Sequence, residues 1–306
     1  MKKRLLILLC GLALTACNNE KFDANKEIKC YTRDTSSWTR DGFFTSIVLS
    51  EAKEDNAPLV EGTVEAKTND DMITKIKNDI YGIGYISLAS YDSSELKGLD
   101  YNNVEPTEEN VLNSTYELTR NFNYMVRSEF KDQKTKDIVE AFRAFLSTKD
   151  AKLTIKDKDG IVEINNDDPT WESIKDNYPV CKEDNSNVTI KFGGSTSCDK
   201  IARALSSEFA TKCGNFIPEH NHTGSSDAYK RTQGSEKDGS NYLDIGFASR
   251  EFNLTDSEPA AEGTYAKICV DAIVTVVNLE NSLEKITNTQ LVSIYTGEYL
   301  TWKDVM

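Results

Sequence analysis

The chain has 306 residues, 28% of them charged and 38% hydrophobic, which is enough for two domains with real cores. Its formal net charge of −14 argues against a general nucleic-acid binder, which needs a basic face. It does not exclude a small-anion site, because a local cluster of N–H and O–H donors can hold an anion inside an acidic protein.

A targeting segment comes first. Met1-Lys2-Lys3-Arg4 is basic, and Leu5 to Ala16 is apolar but too short to span a bilayer. The sequence Leu14-Thr15-Ala16-Cys17 resembles a bacterial lipobox, which implies cleavage before Cys17 and acylation of that residue. The plainer reading is an ordinary signal peptide with a chance cysteine. Without Lys2, Lys3 and Arg4 the 36 basic residues fall to 33 against 50 acidic, a mature charge of −17. Residues 17–26 are polar and suit a tether. No later stretch reaches about 18 apolar residues, so no other membrane span is expected.

The folded part begins at Glu27. Ile28 to Arg33 reads as a strand, Asp34 to Asp41 as a hydroxyl-rich turn, and Phe43, Phe44, Ile47 and Val48 as one helix face. Strands at Thr63 to Lys67 and Ile83 to Leu88 flank a helix at Asp70 to Asn78. Tyr101 to Asn110 is loop, Tyr116 to Val126 an extended connector, Lys134 to Leu146 an amphipathic helix, and Asn165 to Asn187 an irregular connection. Val188 to Phe209 is the most informative stretch: a β-branched strand, then Gly193-Gly194-Ser195-Thr196-Ser197, then a helix with Ile201, Leu205 and Phe209 on one face. The glycines permit a sharp turn and close approach, and a helix start offers free N–H groups to an anion. An ordinary serine-capped helix is the alternative. A second such seat is Gly224-Ser225-Ser226-Asp227-Ala228. Leu243 to Arg250 then runs from a strand into a polar end, Ile268 to Asn278 is a long β-branched run, and Thr287 to Tyr295 is a helix before Gly297 and Trp302. Strands alternate with helices, so the fold class is α/β, with ligands expected at strand ends.

Five cysteines remain beyond Cys10 and Cys17, and export permits disulfides. Cys198 and Cys213 bracket a helix about 22 Å long, too far for a bridge; the other pairings stay open, and an odd number leaves a free thiol. His220 and His222 form H-x-H, a possible metal pair, but no acidic or histidine set surrounds them at metal spacing. A surface strand is the preferred reading, and neither metal nor cofactor is expected. Cys198 could be a nucleophile at a helix start, but no histidine base is apparent, so a buried helix-face cysteine is preferred. Arg33, at a strand end before a hydroxyl loop, favours anion pairing over a plain surface role.

Together these segments resemble the phosphate-binding lipoproteins of bacterial ABC importers. Ile190 to Ser197 resembles that family's first strand and phosphate loop, Gly224-Ser225-Ser226 its second loop, and Asp244 to Arg250 with Asp271 to Val274 the next strand and the crossing strand. Leu291 to Trp302 resembles the following helix and turn, and Thr32 to Asp41 the family's Arg then Ser-Gly-Thr-Arg loop; Ile83 to Leu88 and Pro106 to Asn110 also match. The resemblance implies a two-lobed, type II periplasmic-binding-protein-like fold. The segment order differs from the family's, as if the chain were circularly permuted. Residues 119–275 would form a continuous lobe, and 27–118 with 276–306 a split lobe whose ends meet; an intertwined dimer is the variant. The implied function is extracytoplasmic capture of inorganic phosphate and delivery to a membrane importer permease, without catalysis and without nucleic acid, by a lipid-anchored protein. An exported phosphate- or sulfate-ester hydrolase, a sensor or scavenger, and a binder of another tetrahedral oxyanion are the alternatives. The implied ligands are Thr196, Ser197, Ser225 and Ser249 from one lobe and Arg33, Ser37 and Thr39 from the other, with Ser195, Arg250 and Asp34 secondary. Two residues depart from the family. Trp38 stands where Ser-Gly-Thr has glycine, and Arg250 stands where some members carry an aspartate that accepts the phosphate proton; Asp34 or a backbone carbonyl would have to replace that acceptor.

Labelled fatty acid is expected to enter the wild-type protein in a lipoprotein-processing host and not Cys17→Ser. Equal labelling of the two would refute the lipobox.

Overall fold

The structure, a computed structural model, describes residues 21–306. The leader, Cys17 and the start of the tether lie outside the described residues. In chain order the strands are β1 (Lys29–Arg33), β2 (Val64–Ala66), β3 (Gly82–Ser87), β4 (Lys97–Gly98), β5 (Asp100–Tyr101), β6 (Thr119–Val126), β7 (Thr189–Gly194), β8 (Ile217–His222), β9 (Ile245–Ala248), β10 (Tyr265–Val277) and β11 (Lys285–Ile286). The helices are α1 (Trp38–Ser46), α2 (Asn69–Lys77), α3 (Glu108–Leu112), α4 (Gln133–Leu146), α5 (Lys149–Asp157), α6 (Trp171–Ile174), α7 (Asp199–Lys212), α8 (Ser225–Thr232), α9 (Asn288–Tyr295) and α10 (Trp302–Val305). None of the described helices is long and apolar enough to cross a membrane.

The main sheet runs β2-β1-β3-β10-β6-β9-β7-β8. Its two ends are parallel and its middle antiparallel: β1 pairs parallel with β2 and β3, and β7 with β8 and β9. Strand β10 pairs antiparallel with β3 through Ile273 to Val277 and with β6 through Tyr265 to Ala272. One strand therefore belongs to both halves of the sheet. The pattern explains the chemistry of the strands. Residues of β3 are buried throughout, as in a sheet covered on both faces.

Two large cores follow from this, beside two smaller clusters. One is built from Phe122 to Cys269 and centres on Phe142 and Phe145 of α4 and Phe209 of α7, which pack with Phe192 of β7. The other joins Cys30 to Leu118 with Val270 to Val305, around Phe43, Tyr85, Tyr295 and Trp302. Side chains change cores between Cys269 and Val270, within β10, so the border at 275/276 expected from the sequence falls on the strand that both lobes share. The chain ends meet. The Ile28 N–H donates to the Leu300 carbonyl at 2.8 Å, and the Lys303 N–H to that of Ala24 at 2.7 Å. Phe22, inside the expected tether, packs edge-on against Trp302 at 5.8 Å.

The irregular 165–187 connection holds α6 and is pinned by a Cys181–Cys213 disulfide to the end of α7. Cys30, Cys198 and Cys269 are free and buried.

Because both ends lie in one core, joining Met306 to Asp23 by a short linker and reopening the chain between the exposed Ser186 and Asn187 should preserve the fold. Circular dichroism and a cooperative melt would check this; a molten, non-cooperative product would show that the order of the halves matters for folding.

Candidate functional site

The strand–turn–helix at β7 is built around its two glycines. A Cβ on Gly193 would lie 2.2 Å from the Asn221 carbonyl oxygen, and one on Gly194 2.2 Å from that of Phe247. Gly194 also has φ +97°, in the left-handed region that favours glycine. The turn brings Ser195 against the end of β9, where its N–H donates to the Phe247 carbonyl at 2.7 Å. The Ser195 side chain then caps the short turn of Thr196–Cys198, accepting from the Ser197 N–H at 3.2 Å.

Three hydroxyls converge from three elements. Ser195 Oγ donates to Ser249 Oγ at 3.0 Å, and Ser249 Oγ lies 3.1 Å from Ser225 Oγ at the start of α8. The Ser249 N–H donates to Ser225 Oγ at 3.1 Å. These groups, with Thr196, Ser197, Thr223, Gly224, Ser226 and Arg250, form one wall of a 430 Å³ cleft. The facing wall is Asp41, Thr45, Lys53 and Glu54, from α1 and the turn after it. The cleft thus lies between the lobes, and the start of α8 lines it through Gly224, Ser225 and Ser226.

Arg120 closes the cleft floor. It sits on β6 opposite Asp271 of β10, at the crossing between lobes, and is 8% exposed. Its Nε donates to Asp271 at 3.0 Å, its Nη1 to Asp41 at 2.8 Å and to Ser197 Oγ at 3.1 Å, and its Nη2 to the Trp38 carbonyl at 2.8 Å. One guanidinium therefore touches both lobes. Burial pushes the Asp271 carboxyl above its usual range, and Arg120 opposes this. Asp41 also takes the Lys53 ammonium at 2.8 Å. A neighbouring cavity of 110 Å³ shares Arg120 and Ser197 and adds Thr39, Asn69, Ser87, Lys158 and Lys200.

The expected residues therefore divide. Ser195, Thr196, Ser197, Ser225, Ser249 and Arg250 come together on the cleft, and Thr39 lines the smaller cavity. Arg33, Asp34 and Ser37 line neither. Arg33 spends its donors within its own lobe, on the carbonyls of Ala66 and Lys67 at 3.2 and 3.1 Å and on Asn69 Oδ1 at 2.8 Å. Burial lowers its pKa. Asp34 accepts from the N–H and hydroxyl of Ser36. Ser37 caps α1 by accepting from the Arg40 N–H at 3.4 Å. Trp38 is the first residue of that helix, so the position needs no glycine conformation, and its carbonyl serves Arg120. Arg250 is committed to Glu258 by two contacts of 2.7 Å. Burial would raise the Glu258 pKa, but these bonds and the Asn253 N–H bring it below the usual value. The Cys198 thiol is buried and pushed up to about 12, so it is no nucleophile at neutral pH.

The sequence reading missed Arg120 and Asp41. Asp41 ends the hydroxyl-rich turn Asp34 to Asp41, and Arg120 lies in a strand with no turn signal beside it.

Residues 181–305 match the family model of a PBP superfamily domain. Two curated relatives, each named phosphate-binding protein PstS 2, align along nearly the whole chain. The one from Streptococcus agalactiae is 26% identical and covers 100% of this chain and 99% of its own. The one from Streptococcus pneumoniae is 25% identical and covers 97% and 95%. A crystal structure of a phosphate ABC transporter phosphate-binding protein from Streptococcus pneumoniae superposes with TM-score 0.72 at 22% identity, over 92% of this chain and 100% of that one. The fold is thus the mixed α/β, type II periplasmic-binding-protein-like fold expected from the sequence.

Removing the buried Arg120 cation by Arg120→Ala should weaken oxyanion binding by about 2–5 kcal/mol, as for one partner of a buried charge pair. Arg33→Ala should lower thermal stability while changing affinity by less than about 1 kcal/mol. Calorimetric titration of the two variants would decide between them, and a larger affinity loss for Arg33→Ala would restore the sequence-based assignment.

Proposed function

We propose that this chain captures inorganic phosphate in the interlobe cleft, outside the cytoplasm, and delivers it to the permease of an ABC importer. The single observation that carries this reading is the convergence of Ser195, Ser225 and Ser249 with the α8 start on one wall, facing Asp41 and Arg120. A dehydrated phosphate must regain its lost water hydrogen bonds, so donors have to converge from both lobes, and the lobes have to open to admit it. The curated relatives bear the name of phosphate-binding proteins, which supports the same ligand.

Binding rather than catalysis fits the cleft chemistry. Both histidines of the chain stand behind Ser195 rather than on the cleft wall, and Cys198 is buried. Of the expected ligands we retain Ser195, Thr196, Ser197, Ser225, Ser249 and Thr39, and add Arg120 and Asp41. The lipid anchor at Cys17 and the circular permutation are part of this proposal. The permutation rests on segment order and on the meeting of the two chain ends.

Selectivity for phosphate over sulfate needs a group that accepts the ligand's proton. Arg250 cannot, being a cation held by Glu258, and Asp34 lies off the cleft. Asp41 faces the cleft with Oδ2 3.5 Å from Ser197 Oγ. A carboxylate there accepts from a P–OH and repels fully ionised sulfate.

Titration of the mature protein with phosphate, sulfate, molybdate and arsenate tests the function, and preference for sulfate would overturn it. Asp41→Asn is expected to reduce the phosphate-to-sulfate preference at least about tenfold, roughly 1.4 kcal/mol. An unchanged ratio would remove Asp41 from this role.

A further inference from the structure

We propose that Asp199, His220 and His222 form a divalent-metal site for zinc, on the far side of Ser195 from the oxyanion cleft. His220 and His222 are two apart on edge strand β8, so both side chains stand on one face, opposite Phe192 and Gly194 of β7. Asp199 is the first residue of α7 and meets them there.

The ligand atoms have metal spacing. His220 Nδ1 lies 3.1 Å from His222 Nε2, which lies 3.3 Å from Asp199 Oδ1. All three atoms fall within 4.8 Å of one another. Zinc bonds of about 2.0–2.1 Å at tetrahedral angles set ligand atoms about 3.3 Å apart.

The outer partners orient both rings and set the His222 tautomer. His222 Nδ1 is 2.9 Å from the Ser195 carbonyl, which only accepts, so this nitrogen carries the hydrogen and Nε2 presents a lone pair. Ser206 Oγ lies 3.2 Å from the Arg203 carbonyl and 2.9 Å from His220 Nε2; when it donates to the carbonyl, it accepts from His220 Nε2. His220 Nδ1 then also presents a lone pair. In that arrangement two nitrogen lone pairs and a carboxylate oxygen face one point, which suits a cation. A proton bridges two of these atoms, whereas a metal ion satisfies three. Histidine ligands anchored by a backbone carbonyl and a hydroxyl through their other nitrogens are the usual support of metal sites. Arg203 Nε donates to both Asp199 oxygens, to Oδ1 at 2.8 Å and Oδ2 at 2.9 Å, and Oδ1 also lies 3.3 Å from His222 Nε2. Nitrogen and carboxylate ligands suit zinc, and water completes the fourth position.

The test is zinc titration of the chelator-stripped mature chain, with metal content read by mass spectrometry. One zinc per chain is expected, with affinity at least about tenfold lower in His220→Gln and in His222→Gln and reduced in Asp199→Asn. Cobalt should give a tetrahedral visible spectrum. Imidazole nitrogen NMR on the wild type reads the site without any variant. Zinc-dependent shifts of His220 Nδ1 and His222 Nε2 support the site; an imidazolium at neutral pH that ignores zinc overturns it. Unchanged zinc binding in the double His220→Gln/His222→Gln variant would also overturn it.

Discussion

The structure depends on one buried cation. Arg120 stands where the two lobes cross, and burying a guanidinium is costly unless charges and acceptors surround it. Asp271 on the adjoining strand, Asp41 and the Trp38 carbonyl from one lobe, and Ser197 from the other meet that need. The same contacts bring the start of α1 and the start of α7 to the cleft floor. These contacts hold the Arg120 guanidinium in one orientation, so little of its side-chain freedom remains to be lost in the anion binding proposed above.

Much of the fold was legible because the segments carry strong local patterns. The Gly193-Gly194 turn is fixed by sterics, and the every-fourth-residue face of Ile201, Leu205 and Phe209 is the buried face of α7. The hydroxyls of Ser195, Ser197, Ser225 and Ser249 could be read as a set because each follows a strand or opens a helix. What failed was the partner of a long side chain. Arg33 has the sequence context of an anion ligand, yet three carbonyl and amide oxygens lie nearer to it than the cleft does. Nothing in Leu118-Thr119-Arg120-Asn121 marks Arg120, since its role comes from the strand crossing and not from its neighbours in sequence.

The same limit applies to longer-range pairs. Asp199 and His222 are brought together by a helix returning onto the strand that follows it, so no sequence spacing announces them. Cys181 pairs with Cys213 because the irregular stretch folds back to the end of α7, and an irregular stretch has no periodicity from which to infer its path. Trp38 shows the opposite case. A family glycine suggested a constrained backbone, but a helix start accommodates the bulky residue and makes use only of its carbonyl.

Strand β10 has a consequence for how the molecule comes apart. Its residues take ladder partners from β3 in one lobe and from β6 in the other. If either lobe melts, β10 loses half of its hydrogen bonds, and the surviving lobe is left with an exposed sheet edge. The two halves are therefore tied by one strand and should not denature as independent units. Cooperativity against partial unfolding is thus carried by the same thirteen residues that cross between the two halves.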